Sequence, residues 1–325
     1  MRLLILGGTV FLSRNIARAA VARGHQVTAL ARGSRPVPAG AMLHVADRDQ
    51  GVMAFAGLTG EWDAVIDVAR DPAQVGAARQ ALSGRVAHWT FVSTLSVYAD
   101  QAVAGQDESA ELLPGLAEGA DAAAEYGAAK VACEQLFGSA TVPSAIVRPG
   151  LICGPGDPSD RYGYWPARFA RDNGPALLPD LGAMATQVID ARDLALWLVE
   201  LAESGTGGVF DACGPTVPWR TLIGAAMEVA GYSGRLRLAD PAWLSAHGVS
   251  PWAGPESLPL WLPEDAFGLM ARSGAAARAA GLRLRPFDQT LESVLADEKS
   301  RGLGRERRAG LSQAREAELL ALLAG

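Results

Sequence analysis

Short apolar runs alternate with helical patterns along the first 150 residues of the chain. The first run, residues 3–6, ends at Gly7-Gly8, and the helical pattern after it stops at Gly24, which is typical of a helix C-terminus. The predicted strands are residues 3–6, 26–30, 42–45, 63–68, 88–93 and 144–147, and the predicted helices are residues 11–23, 72–82 and 122–137. This alternation predicts an α/β fold, a doubly wound parallel sheet with helices on both faces.

The composition changes after Arg148-Pro149-Gly150, where the loops become richer in Pro and Gly. We therefore expect a sheet domain over residues 1–150 and a smaller, substrate-binding lobe of mixed helices and loops over residues 151–325, with some segments returning to the sheet. Six of the eight Trp residues lie in this second part. Packing explains any single one of them better than ligand stacking does. Residues 311–323 predict a terminal helix.

The overall composition is that of an ordinary globular protein, with 49% hydrophobic and 20% charged residues and a net charge of −6. A negative net charge does not favour nucleic acid as a partner, and the arginine-rich segment 301–308 is expected to be solvated. Cys133, Cys153 and Cys213 form neither a disulfide framework nor a metal site, so we expect no metal and a cytoplasmic location. No apolar stretch is long enough for a membrane span or a secretion signal.

Tyr126 and Lys130 stand four positions apart on a predicted helix and share one face. A free Tyr has a pKa of about 10, and a fixed ammonium nearby would favour the phenolate and lower that value. The pair stands out because the chain has 27 Arg but only two Lys. The spacing therefore predicts a proton-transferring Tyr, although an ordinary pair on a solvated helix has the same spacing.

The first strand ends in the turn Gly7-Gly8-Thr9-Val10-Phe11-Leu12-Ser13, which opens a helix. Backbone N–H groups and the helix dipole make such a turn a site for phosphate, so this part of the chain is expected to be a Rossmann-type domain that binds a dinucleotide. A regular pattern would place Gly at positions 7, 10 and 13. Val10 and Ser13 depart from it, and Val10 stands where the backbone approaches the pyrophosphate most closely.

The end of the second strand indicates which dinucleotide is preferred. An acidic residue there would accept hydrogen bonds from the adenosine ribose and favour NAD. The sequence instead reads Ala31-Arg32-Gly33-Ser34-Arg35, which offers a guanidinium to a 2′-phosphate. We therefore expect NADP, with NAD as the other possibility. The alternative is that Arg32 and Arg35 are plain loop charges.

Taken together, these motifs resemble the extended and atypical branches of the short-chain dehydrogenase/reductase superfamily, with the NAD-dependent epimerase/dehydratase group nearest. The resemblance spans about residues 1–215. The motifs that carry it are Gly7-Gly-Thr-Val-Phe-Leu12, Ser93-Thr-Leu-Ser-Val-Tyr98, Tyr126-x-x-x-Lys130, Arg148-Pro149-Gly150 and Val188-Ile-Asp-Ala-Arg-Asp193.

The resemblance implies roles for individual residues. Thr94 would hydrogen-bond the reacting oxygen of the substrate, Tyr126 would transfer the proton, and Lys130 would hold the nicotinamide ribose. Asp47 would approach the adenine, and Ala69 would line the cofactor. The residues expected around the pyrophosphate are Gly7, Thr9, Val10, Phe11 and Leu12. Tyr98 lacks a Lys four positions later and is expected to be a packing residue.

The resemblance leaves two functions open. One is an NAD(P)-dependent oxidoreductase, epimerase or dehydratase that acts on a small-molecule substrate, and the other is a non-catalytic dinucleotide-binding sensor or scaffold. The segment 157–165 is expected to reach the substrate. Within it, Arg161 binds an anion or pairs with Asp157 or Asp160, and pairing is favoured. A homodimer through the helix that carries Tyr126 is possible, and Leu136 and Phe137 would suit such an interface.

Overall fold

A computed structural model describes residues 1–138 and 142–324 of the chain. Its strands are β1 Arg2–Leu6, β2 Gln26–Ala31, β3 Ala41–Val45, β4 Ala64–Asp67, β5 Trp89–Val92, β6 Ser144–Pro149, β7 Leu151–Cys153, β8 Ala176–Pro179, β9 Ala185–Thr186, β10 Val188–Asp190, β11 Gly208–Ala212, β12 Val217–Pro218, β13 Leu236–Ala239, β14 Ser250–Trp252 and β15 Ser257–Pro259. Its α-helices are α1 Phe11–Ala22, α2 Pro72–Ala81, α3 Tyr126–Gln135, α4 Arg161–Arg171, α5 Ala191–Ser204, α6 Trp219–Ala230, α7 Pro241–Ala246, α8 Ala275–Ala279, α9 Phe287–Arg301 and α10 Gln313–Ala324. Short 3₁₀ turns cover Arg48–Phe55, Leu95–Val97 and Glu264–Met270.

Within the described residues, seven strands form one sheet in the order β11-β6-β5-β4-β1-β2-β3. Every pair of neighbours in it is parallel. The predicted α/β fold with a doubly wound parallel sheet is therefore confirmed, and each of its six predicted strands is present. The strand β11 comes from the second half of the chain and pairs with β6. Its apolar run, Val209-Phe210, is too short for a periodicity argument to detect.

Helices cover both faces of this sheet because its strands are apolar on both sides, as parallel sheets require. The four residues Leu3, Leu4, Ile5 and Leu6 of β1 are at most 1% exposed. On one face, α1 and α5 pack against the sheet and against each other. On the opposite face, α2 and α3 cover it.

The second lobe has its own apolar core, formed by α4, α6 and α9 together with the strand pair β8–β13. Trp165 and Trp219 pack edge to face in this core with ring centroids 5.3 Å apart. The indole N–H of Trp165 donates to the carbonyl of Pro259 at 2.8 Å. Trp261 is also buried there. Packing is thus the role of most of the Trp residues, as predicted.

A chain of buried polar groups joins α3, the sheet and the segment around Arg272. The Tyr98 hydroxyl donates to Asp211 at 2.6 Å and accepts from Arg148 at 2.8 Å. Arg148 also pairs with Glu134 on α3 at 2.6 Å, and Arg272 pairs with Asp211 at 2.9 Å. Tyr98 is fully buried, so the prediction that it is a packing residue is confirmed.

The segment 301–308 is not simply solvated, as the sequence had suggested. Arg307 pairs with the buried carboxylate of Glu298 at 2.7 Å, and Arg305 pairs with Glu298 at 2.9 Å and with Asp160. These pairs bind the segment to α9 and to the start of α4. The expectation was wrong because Asp160 lies far away in the sequence, and because the burial of Glu298, just before the segment, is decided only by the fold.

The described residues contain no helix that is both long enough and apolar enough to cross a membrane. Leu136 is 38% exposed, whereas Phe137 is buried and stacks on Phe91 at 5.2 Å. Phe137 therefore belongs to the core of the protein and is unsuited to a dimer surface. The homodimer stays a prediction.

We expect Asp211→Ala to lower the free energy of unfolding by about 3–5 kcal/mol, because it leaves the guanidinium of Arg272 buried without its counter-ion. Asp180→Ala is the matched control, since its pair with Arg220 is exposed and should contribute no more than about 1 kcal/mol. Urea unfolding followed by circular dichroism measures both. Equal midpoints for the two variants would contradict the assigned role of the buried pair.

Candidate active site

The helix α3 begins at Tyr126, four residues later than predicted, because residues 122–125 form a turn. Its second residue is Gly127, where an added Cβ would lie 2.4 Å from the carbonyl oxygen of Ser96. Only glycine permits this approach, which seats the first turn of α3 against the 3₁₀ turn Leu95–Val97. The contact brings Tyr126 next to Thr94, the residue that caps that turn.

Lys130 lies one helical turn after Tyr126 and is 2% exposed. Its ammonium donates to the carbonyl oxygens of Ala69 and Val92, both at 2.6 Å, and lies 4.7 Å from the ring centre of Phe91. Burial lowers the pKa of Lys130 to about 8. An ammonium has three donors, so one remains for a ligand in the cleft that Lys130 lines.

The phenol of Tyr126 is half-buried, and this burial raises its pKa above the ordinary value. The Thr94 hydroxyl and the guanidinium groups of Arg70 and Arg161 act in the opposite direction. Lys130 was expected to lower the pKa of Tyr126. For the chain by itself, this prediction is wrong. Burial outweighs the nearby cations, and the Lys130 ammonium is directed at the sheet carbonyls.

Thr94 follows β5 and has only 9% of its surface exposed. Its hydroxyl accepts from the backbone N–H of Ser96 and donates to the Ser96 hydroxyl, both at 3.2 Å. The preceding residue, Ser93, donates to Glu134 on α3 at 2.5 Å. The end of β5 and the helix α3 are thus connected directly beside the cleft.

The glycine turn after β1 has a backbone conformation that favours glycine. Gly7 and Gly8 have φ of 126° and 95°, and a Cβ at Gly8 would meet the Cβ of Ala29 at 2.4 Å. Ser13 is buried and donates to the Val10 carbonyl at 2.8 Å. Within the described chain, α1 has no side-chain cap at its start and no acidic residue in its first turn. Its first N–H groups are therefore available to an anion, and these residues fit a pyrophosphate.

A cleft of about 410 Å³ lies at the carboxyl ends of the sheet strands, between the sheet and the second lobe. It brings together six of the predicted site residues: Val10, Phe11, Leu12, Thr94, Tyr126 and Lys130. Gly7, Thr9 and Ala69 do not line it. The side chains of Thr9 and Ala69 are buried, and the neighbours Val68 and Arg70 form the wall instead.

Arg32 and Asp47 border a separate depression at the ends of β2 and β3, together with His44. Arg32 is exposed, and Asp47 caps the turn that follows it by accepting from the N–H of Asp49 at 3.1 Å. The two residues expected near the adenosine thus border one depression, on the same edge of the sheet as the cleft.

The second lobe contributes the opposite wall of the cleft through Asp157, Ser159, Arg161 and Trp252. The segment 157–165 therefore reaches the cleft with its first half only. Tyr162, Tyr164 and Trp165 are instead buried in the core of the second lobe.

The favoured pairing of Arg161 is wrong. Asp160 binds Arg301 and Arg305, and within residues 1–138 and 142–324 no carboxylate lies within ion-pair distance of Arg161. Its guanidinium lies over the ring of Trp252 at 4.7 Å.

Arg70 and Trp252 are two polar or aromatic residues of the cleft that the sequence did not single out. Arg70 lies 5.9 Å from the ring centre of Tyr126, and its position three residues after β4 was a signal that could have been used. Trp252 had no local signal, because it reaches the cleft through the short strand β14, far along the chain. The part of the chain that the structure describes holds no cluster of three or more metal-binding side chains.

The chain is similar to known proteins in its sequence and in its fold. The model of the NAD dependent epimerase/dehydratase family matches residues 3–213. Among solved structures, a putative epimerase from Burkholderia cenocepacia J2315 is 21% identical, with a TM-score of 0.71 over 92% of this chain and 98% of that one. No curated protein matches the sequence.

Two further solved structures are similar. The UDP-N-acetylglucosamine 4-epimerase from Bacillus cereus is 15% identical, with a TM-score of 0.69 over 95% of this chain and 100% of that one. The UDP-glucose 4-epimerase from Thermus thermophilus, solved as a complex with NAD, is 18% identical, with a TM-score of 0.65 over 92% of this chain and 99% of that one. At these identities the likeness shows the fold.

The burial of Lys130 can be tested by NMR, because the chain has only one other Lys. In Lys299→Arg protein labelled with [¹³C]lysine, the single side-chain resonance should titrate near pH 8. From about pH 8 to pH 10 the unfolded chain holds a proton that folded Lys130 has lost, so this residue adds stability as the pH rises through that window. A midpoint at the ordinary lysine value would show that the ammonium is solvated.

Proposed function

The chain belongs to the NAD-dependent epimerase/dehydratase family, and on that premise we propose that it is an NAD(P)-dependent enzyme that uses Tyr126 as its acid and base. The reaction is the oxidation of a carbinol or the reduction of a carbonyl in a small molecule, either as a net reaction or as one step of an epimerisation or dehydration. One observation carries the proposal: Tyr126, Thr94 and Lys130 line a single cleft that also contains the start of α1.

The residues of the cleft suit a nicotinamide dinucleotide. The backbone N–H groups at the start of α1 would hold the pyrophosphate, and the remaining donor of Lys130 would bind the nicotinamide ribose. When bound, the nicotinamide supplies or accepts the hydride. Val10 lines the cleft and is 46% exposed, so its side chain is not fixed by packing within the turn.

The chain supplies the proton chemistry. Thr94 and Tyr126 would both hydrogen-bond the substrate oxygen, on which negative charge develops during reduction. Because burial raises the pKa of Tyr126, its phenol is protonated at neutral pH and ready to donate. In the opposite direction the phenolate is needed, and the guanidinium groups of Arg70 and Arg161 help to stabilise it.

We propose that NADP is preferred over NAD. Arg32 borders the depression at the ends of β2 and β3, and no acidic residue ends β2. A guanidinium there would bind a 2′-phosphate. The alternative function is a dinucleotide sensor without turnover. The departures from the glycine pattern at Val10 and Ser13 favour it, and it predicts a different result for the Tyr126→Phe variant.

We expect Tyr126→Phe to reduce turnover by about 10²–10⁴-fold while cofactor affinity stays nearly constant, because only the proton transfer is removed. The matched control is Tyr232→Phe, which removes a hydroxyl that donates to Gly174 in the second lobe. Cofactor binding is measured by nicotinamide fluorescence. Turnover of a panel of carbonyl compounds and nucleotide sugars is followed by mass spectrometry. Undiminished turnover in Tyr126→Phe would refute the assigned role, and wild-type protein that binds the cofactor but converts nothing would favour the sensor.

We expect Arg32→Ala to weaken NADPH binding about tenfold and to leave NADH binding unchanged, since one charge-assisted contact to the 2′-phosphate is lost. Arg35→Ala is the matched control, because Arg35 lies in the same loop but does not border the depression. Fluorescence titration gives the four affinities. If both variants bind NADPH as the wild type does, Arg32 does not select the cofactor.

A further inference from the structure

Arg161 is a half-buried cation with no carboxylate within ion-pair distance in the described residues, although the charge of Asp157 acts on it from farther away. It is the first residue of α4 and lines the cleft. Its Nε is buried and has no hydrogen-bond partner in residues 1–138 and 142–324. Burial lowers the pKa of Arg161, which shows that the surroundings do not fully compensate its charge. A desolvated guanidinium is costly unless something pairs with it.

The two nearest acids in the sequence are engaged elsewhere. Asp160 is bound by Arg301 and Arg305 and accepts from the N–H of Arg308 at 2.9 Å. Asp157 also lines the cleft, but its carboxylate accepts from the N–H and the hydroxyl of Ser159, at 2.8 and 2.9 Å. Burial raises the pKa of Asp157, and the hydrogen bonds from Ser159 and the charge of Arg161 act in the opposite direction.

Trp252 holds the Arg161 guanidinium in place. The ring centre lies 4.7 Å from the guanidinium carbon, which is a cation–π contact. Trp252 has φ of 69°, a value that bulky residues rarely adopt. The fold thus imposes a disfavoured backbone conformation at the residue that supports this cation, as is common at ligand sites.

The cation lies at the reacting end of the cleft. Its charge is close enough to lower the pKa of Tyr126, and Arg70 acts on the same phenol. Lys130 adds a third positive charge, against the single carboxylate of Asp157. Apolar side chains line the same cleft, among them Leu95, Leu151, Leu269 and Met270. The space around Tyr126 therefore suits a compact apolar body that bears a negative group.

We propose that the substrate carries an oxyanion, a carboxylate or a phosphate, within a few bonds of the reacting carbon, and that Arg161 on Trp252 binds it. This inference rests on the proposed function. A guanidinium binds either group through two parallel hydrogen bonds, which also fixes the orientation of the substrate. The same contact would place the reacting carbon beside Tyr126, so Arg161 is a specificity-determining residue.

Isothermal titration calorimetry with oxalate and with inorganic phosphate tests the proposal on the wild type, Arg161→Gln, Arg161→Lys and Arg220→Gln. Each protein is titrated with and without saturating NADPH. We expect Arg161→Gln to weaken anion binding by at least about tenfold, and Arg161→Lys to weaken it less, because the charge stays and the paired donors are lost. Arg220→Gln, on an exposed surface, should bind as the wild type does. The tighter of the two anions identifies the group.

Three outcomes would overturn the proposal: no anion binding by the wild type, equal binding by the wild type and Arg161→Gln, or a loss of NADPH affinity in Arg161→Gln with anion binding intact. The last would assign Arg161 to the cofactor. If the proposed function is wrong, the wild type binds no nicotinamide cofactor. The titrations without cofactor still measure anion binding at Arg161 in that case. Thermal melting shows whether each variant is folded. If Arg161→Gln is not folded, the comparison of the wild type with Arg161→Lys provides the test.

Discussion

The two hydrogen bonds of the Lys130 ammonium are the contact on which the site depends. They join α3 to the carbonyls of Ala69 and Val92, just after β4 and at the end of β5. Neighbouring parallel strands end at the same edge of the sheet, so a single cation can satisfy both carbonyls. A buried ammonium is costly, and these bonds together with the Phe91 ring offset part of that cost. The position of Lys130 then sets the direction of α3 and with it the place of Tyr126.

A second set of contacts reinforces this one from the next turn of α3. Glu134 lies one turn beyond Lys130 and binds both Ser93, beside Thr94, and Arg148. Through Tyr98 the same chain of groups reaches Asp211 on the edge strand β11. Thr94, Tyr126 and Lys130 are therefore placed by rigid elements whose polar groups are mutually satisfied. This is the kind of support that holds a proton-transfer site in register.

The two lobes divide the chemistry of the cleft between them. The sheet domain supplies the start of α1 and the groups around Tyr126. The second lobe supplies Asp157, Arg161 and Trp252, which line the opposite wall. The region matched by the family, residues 3–213, includes the sheet and also Asp157 and Arg161 of the second lobe.

The sequence by itself determined the parallel sheet, the glycine turn and the Tyr126–Lys130 pair, because each depends on neighbours within a few positions of the chain. The main predictions from the sequence that proved wrong concern the environment of charged and titratable groups. Arg161 was expected to pair with Asp157 or Asp160, and the arginines of segment 301–308 were expected to be solvated. The direction of the Tyr126 pKa was also wrong, since burial cannot be inferred from helical spacing. Only the tertiary structure decided which carboxylates meet which arginines, that β11 closes the sheet and that Trp252 supports Arg161. Ion pairs and desolvation depend on distances in space between residues that are far apart along the chain.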